Sequence, residues 1–164
     1  MYVYLVQHGA SKSEVEDPRR GLTDEGKRVV NEVAEHLASI GVTLDRLEHS
    51  DKLRACQTAE ILAAKLQPRG GTHLVAGMAP NDDVRPMRDR LQGEEKDLML
   101  VGHLPYLSRL LSVLLGANEE RTLVEFQMGG VIRLARSEKG EWRLQWAVSP
   151  GLLRSRAAEN RQVA

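Results

Sequence analysis

What this chain of 164 residues is short of narrows its roles before any motif is read. It has one cysteine, Cys56, so neither an internal disulfide framework nor a multi-cysteine zinc site can be built. Neither charge is in excess: 23 Lys and Arg balance 23 Asp and Glu, and no overall basicity points to nucleic acid. No apolar run approaches the roughly 20 residues that span a bilayer. The N-terminus enters a short strand-like run without a basic n-region or a long apolar h-region. No Walker-type loop, internal repeat or low-complexity linker is present. These absences lead us to expect a cytoplasmic protein with no membrane or nucleic-acid partner.

What is present is an ordinary globular balance, 41% hydrophobic and 28% charged, at a length that fits one domain with a real core. Apolar runs bounded by turn residues predict strands over 2–6, 47–49, 73–76, 97–101, 123–127, 131–135 and 142–147. Helices are expected over 22–40 with Thr23 as its cap, and from a Ser50 or Asp51 cap to about Leu66. Two more are expected over 82–91, with Pro86 in or near the first turn, and over 105–115. Alternating strands and helices predict an α/β three-layer sandwich, a mostly parallel central sheet with helices on both faces. We expect a single domain over 1–154 and a frayed polar tail over 155–164.

Two strands end in nearly the same way. "YLVQHGASKSE" places Gln7, His8 and Gly9 at the end of the first, and "LMLVGHLPY" places Gly102 and His103 at the end of another. Ligands of open parallel sheets bind outside the carboxyl ends of the strands, so both histidines are expected at that edge. Gly9 and Gly102 are expected to let backbone approach a ligand, and Pro105 to start a helix whose N-terminus favours an anion. In "SDKLRACQTAEIL", Arg54 falls in the first turn of the second helix, facing the same edge with a planar fork suited to phosphate oxygens. Taken singly, each histidine reads as a turn residue and Arg54 as a solvated charge; the shared edge favours function.

These stretches, together with "LTDEG", resemble the histidine phosphatase superfamily in order and spacing. In that family a strand ends in Arg-His-Gly, a Ser-x-x-x-Arg-Ala-x-Gln-Thr segment follows, and a second histidine ends a later strand. "GHLP" and the closing "WAVSPGLL" look most like the SixA-like phosphohistidine phosphatases, and the resemblance covers about residues 1–153. It implies a phosphoglycerate mutase-like fold and a phosphatase that hydrolyses phosphohistidine on a protein through a covalent phosphohistidine intermediate. His8 would be the nucleophile, with Arg54 and His103 holding the phosphoryl oxygens. Arg20 of "DPRRGLT" would add a phosphate contact, with Arg19 the less favoured of the two. The implied partner is a phosphohistidine-bearing protein of the phosphorelay type or a small phosphorylated substrate, and no cofactor is called for.

The sequence departs from the pattern twice. Position 7 is Gln where the family has Arg, which keeps an amide donor but loses the charged fork, a contact worth roughly 1.5–3 kcal/mol. Arg20 or Lys12 can compensate in part. Gln7 keeps open an alternative: a catalytically weak or inactive regulatory module that binds phosphohistidine or phosphate. The second departure is the glutamate many members carry as proton donor. Here the region reads "LVAGMAPNDDV", with Gly77 near the expected place and Asp82 and Asp83 a little later as the available acids. A phosphohistidine leaves as neutral imidazole once its other nitrogen is protonated, so a missing strong acid fits a phosphoramidate better than a phosphate monoester. His36, His49 and His73 are expected to be structural or solvated, and Cys56 to be packing. Two histidines without a carboxylate partner make a poor metal site.

Overall fold

The computed structural model describes residues 1–153; the tail expected to fray lies outside them. The strands are β1 (Tyr2–Gln7), β2 (Arg46–His49), β3 (Thr72–Leu74), β4 (Leu98–Gly102), β5 (Val131–Arg136) and β6 (Trp142–Val148). The helices are α1 (Asp24–Ser39), α2 (Leu53–Leu66), α3 (Arg85–Gly93) and α4 (Tyr106–Leu114). One sheet contains all six strands in the order β3-β2-β4-β1-β5-β6, the first four parallel and the last two antiparallel. Among the described residues no helix is long and apolar enough to cross a membrane.

Alternation along the central strands feeds two cores. Tyr4, Val6, Leu47, Met99 and Val101 face α1 and α2, whereas Val3, Leu5, Leu98 and Leu100 face α3 and α4. Because both faces are covered, these strands read as continuous apolar runs instead of alternating ones. The α1 cap is as expected: Thr23 Oγ1 accepts from Gly26 N at 2.9 Å, with Asp24 and Glu25 at the positive end and Val30, Val33, Ala34 and Leu37 buried.

Gly26 also explains the glycine of "LTDEG". A Cβ there would lie 2.2 Å from the Ala10 carbonyl oxygen, so α1 reaches the chain beyond β1 only because no side chain intervenes. Gly26→Ala should therefore cost about 1–3 kcal/mol through overpacking, although alanine is the better helix former. A lower urea midpoint at unchanged m is the expected reading, and an unchanged midpoint would contradict it.

Four expectations need correction. Residues 123–127 are not a strand: β5 is already paired on both sides by β1 and β6, and Phe126 enters the core from irregular backbone. The cap position of α2 is Lys52, with no side-chain cap bond, because the Ser50 hydroxyl is engaged with His103. Helix α3 starts at Arg85, later than expected, with Pro86 in its first turn and Asp83 accepting from Arg85 N at 3.0 Å. Pro105 occupies the cap position of α4, one residue before the helix proper.

Candidate active site

Three neighbouring parallel strands bring their carboxyl ends to one edge. The register pairs Gln7 with Gly102 and His49 with Val101, so His8, Ser50 and His103 emerge side by side. The ladder continues one step past the strands: His8 N donates to Gly102 O and Ser50 N to Val101 O, both at 3.1 Å. From the other side Gly129 N donates to Gln7 O at 2.9 Å and His8 O at 3.2 Å. The site is thus built on sheet backbone, the rigid part of the fold.

His8 is buried, and its Nδ1–H donates to the Gly9 carbonyl at 2.7 Å, which leaves the Nε2 lone pair free of a proton. Arg54 Nε donates to that lone pair at 3.1 Å. Burial first, and then the positive charges of Arg54 and Arg20, push the imidazole down to about 4, against the opposing effect of the Gly9 bond. His103 is 1% exposed, and its ring centroid lies 5.0 Å from that of His8 at a tilt of 55°. Its Nε2 is 2.9 Å from Ser50 Oγ. The one hydroxyl hydrogen of Ser50 goes to Asp51 Oδ1 at 3.3 Å, so Ser50 Oγ accepts and His103 Nε2–H donates. Burial, then the charge of Arg54, lowers His103 to about 3.

The two histidines make stability pH-dependent in a defined direction. In the unfolded chain each takes a proton near its ordinary value of about 6.5. Folded, they resist protonation until about 4 and about 3. Their contribution to stability is therefore complete above about pH 6.5 and is lost as pH falls toward the folded values. Acidification from about pH 7 to about 5 should cost on the order of 1–3 kcal/mol. His103→Gln should flatten that slope in denaturant titrations, and a slope unchanged by it would contradict the assignment.

Ser50 was expected from sequence only as a helix cap and not as a site residue. With no acceptor on Ser50, the His103 N–H would lose its fixed direction. Ser50→Ala should lower kcat about tenfold with little change in KM, the size of one ordinary hydrogen bond made in the transition state. Thr58 and Gln57 were also missed. Thr58 Oγ1 accepts from Gly9 N at 3.0 Å and donates to Arg54 O at 2.7 Å, coupling the strand end that carries His8 to the helix that carries Arg54. Gln57 Oε1 accepts from Leu22 N at 2.7 Å. The signal was the spacing in "RACQT", since residues four apart share a helix face.

Arg20 sits on the loop between β1 and α1, which Asp17 organises by accepting from Arg19 N and Gly21 N, each at 2.9 Å. Arg20 has φ +53, a conformation few non-glycine residues adopt, and its Nε donates to Lys12 O at 3.5 Å. Arg19, Arg20, Lys52 and Arg54 line one cleft of about 420 Å³ together with Glu14 and Asp51. Lys12 itself takes part through its carbonyl.

Other expectations fare differently. Gly9 and Gly102 make room for helices and not for a ligand: a Cβ would lie 2.7 Å from Val30 Cγ2 at Gly9 and 3.3 Å from Leu107 Cδ2 at Gly102. Asp83 is held down to about 2 by hydrogen bonds from Arg85, so it stays ionised and makes a poor acid. Asp82 accepts from Ala79 N at 2.7 Å, and both carboxylates line a different cleft with Met87 and Arg90. His49 is buried with Nδ1–H donating to Ser50 O, His73 donates to Gly70 O, and Cys56 lies partly exposed beside Glu60. Among the described residues no three His, Cys, Asp or Glu side chains group as metal ligands would. Gln7 is 7% exposed, and its Oε1 is buried without a hydrogen-bond partner among the described residues.

Comparison with known proteins agrees with this geometry. A sequence model of the histidine phosphatase superfamily (branch 1) matches residues 3–74, the stretch that carries His8, Arg20 and Arg54. An uncharacterized protein of Picosynechococcus sp. is 34% identical over 115 residues, 65% of this chain and 68% of that protein. The structure of the protein histidine phosphatase SixA complexed with tungstate is 25% identical, with a TM-score of 0.82 over 93% of this chain and 99% of that one. The alpha-ribazole phosphatase of Shigella flexneri, at 16% identity and a TM-score of 0.75 over 92% and 97% of the two chains, shares the fold alone. With a histidine at the end of each of two neighbouring strands, an arginine of α2 bonded to the first histidine and a SixA-like fold around all three, the chain belongs to the histidine phosphatase superfamily.

Proposed function

We propose that this phosphatase hydrolyses phosphohistidine on a partner protein through a phosphohistidine formed on His8. The observation that carries the reading is the state of His8: Nδ1–H is fixed on the Gly9 carbonyl, so Nε2 carries no proton and its lone pair accepts from Arg54 Nε. When a phosphoryl group arrives, its oxygens take over the Arg54 donors and Nε2 faces phosphorus. The Nε2–P bond forms as the substrate N–P bond breaks, and the substrate imidazole leaves neutral if its other nitrogen holds a proton. Water then attacks phosphorus. The bonding pair returns to Nε2, His8 is again neutral through its retained Nδ1–H, and both water protons leave with the phosphate. Neither step needs a strong enzymic acid, in keeping with an ionised Asp83 and a bound Asp82. Arg54 and Arg20 offset charge on the phosphoryl oxygens, which is most of what phosphoryl transfer asks of a protein. His103, neutral with its Nε2–H on Ser50, packs against the His8 ring. The tungstate held by SixA, a tetrahedral oxyanion, supports an anion site of this kind.

The test is phosphate release from a phosphohistidine-bearing protein beside release from a phosphoserine peptide. The histidine substrate should turn over faster by about 10²-fold or more, the scale of a missing general acid. Preference for the ester would overturn the reading. The uncharged Gln7 favours one alternative, a module that binds phosphohistidine without turnover, and it would show binding with no phosphate released.

A further inference from the structure

Arg133 interrupts the apolar run of β5, in register with Tyr4 on β1 and Trp146 on β6. Its guanidinium carbon lies 3.6 Å from the centre of the Tyr2 ring and 5.7 Å from the centres of Tyr4 and Trp146. The Tyr4 and Trp146 rings are themselves 5.9 Å apart, so three aromatic side chains gather round one charge. Arg133 makes no hydrogen bond or ion pair among the described residues. Its Nε is closed off, whereas both terminal nitrogens remain accessible. They belong to a cleft of about 190 Å³ that Arg133 lines with the three rings, Val42 and Asp97. An arginine held partly out of water is ordinarily paired. Here one face of the guanidinium is occupied by a ring, and the edge with four N–H donors lacks an acceptor.

We propose that this cleft docks a peptide carboxylate of a partner protein, held by the two terminal nitrogens of Arg133, with a neighbouring apolar side chain against Trp146 and Val42. A planar carboxylate matches the guanidinium fork, and the aromatic walls shield the pair from water. The Tyr4 hydroxyl makes no hydrogen bond among the described residues either. Burial raises its pKa, so it keeps its proton and is a second donor in the same cleft. Asp97 is the acid on this wall, and its Oδ1 already accepts from Tyr2 N at 2.6 Å. A peptide is favoured over a small free carboxylate by what surrounds the fork. Trp, Tyr and Arg are the side chains that dominate binding at protein interfaces, and Ile40 beside them is 51% exposed. Tyr2 opens β1 and His8 follows its end, about 20 Å further along the strand. The cleft is therefore separate from the phosphoryl site, and the inference stands apart from the role of His8.

The test is a nuclear magnetic resonance titration of the full chain with the capped peptide acetyl-Leu-Glu-Leu-amide. Shifts should centre on the Trp146 indole and on Tyr2, Val42 and Arg133. The isosteric acetyl-Leu-Gln-Leu-amide should bind at least about tenfold more weakly, the scale of a charged hydrogen bond lost. Acetyl-Leu-Leu with a free terminal carboxylate distinguishes the source: the tighter of the two acidic peptides names a side chain or a chain terminus. Arg133→Gln should lose the same tenfold while phosphate release from phosphohistidine stays unchanged. Equal affinity of the wild type for the Glu and Gln peptides overturns the inference without recourse to any variant. So do shifts that centre outside this cleft. Acetate binding as tightly as either acidic peptide overturns it too, because the apolar walls would then contribute nothing. None of these results bears on hydrolysis through His8.

Discussion

His8→Ala should abolish phosphate release from phosphohistidine, lowering kcat by about 10⁴-fold or more, the scale on which enzymes lose activity with their nucleophile. The reason is specific to this imidazole. Its Nδ1–H is committed to Gly9 O, burial keeps it unprotonated down to about 4, and among the described residues no other nitrogen is shown both neutral and in contact with Arg54. His103 does not substitute for it, since its Nε2–H is given to Ser50. The variant should fold: His8 side-chain atoms enter few bonds, and the strand end is held through backbone at Gly102 and Gly129. Phosphate release that survives in a folded His8→Ala protein would remove His8 from the role of nucleophile.

Arg54→Ala comes next in size. In the proposed mechanism the guanidinium anchors the phosphoryl oxygens, and its charge also lowers His8, so its loss should act in two ways. The kcat/KM should fall by about 10²–10³-fold, as when a preorganised donor to developing charge is removed. The acid limb of the pH profile should also move upward, because a cation that lowers His8 is gone. Activity that requires neutral His8 would then be lost at a higher pH than in the wild type. Arg54→Lys should recover part of the rate, since a point charge cannot fork across two oxygens. A rate loss without movement of the acid limb would show that Arg54 anchors substrate but does not set the state of His8.

Much of this was legible in the sequence, for a physical reason. A strand buried on both faces must be apolar up to its end, so the change to "QHG" and "GHLP" marks where β1 and β4 leave the core. Arg54 was legible because the first turn of α2 begins just beyond β2. Residues that hold others in place were not. Thr58, Gln57, Ser50 and Asp17 act on backbone or on another side chain, and their types are common in any helix or loop. The glycines were legible as exceptions but not in purpose, because only the packing shows Gly9 against Val30 and Gly26 against Ala10. The false strand at 123–127 had the right composition but no free ladder position beside β5. The orphaned oxygen of Gln7 is a property of packing alone.

The measurement closest to the central claim is a rapid-quench experiment on the wild-type chain with a phosphohistidine-bearing protein carrying labelled phosphate. A covalent step through His8 predicts label on the phosphatase during turnover, lost in acid, stable in base, and located by peptide mapping to the segment that contains His8. Phosphate release at full rate with no label on the chain at any quench time, or label mapped to His103 or another residue, would contradict the account.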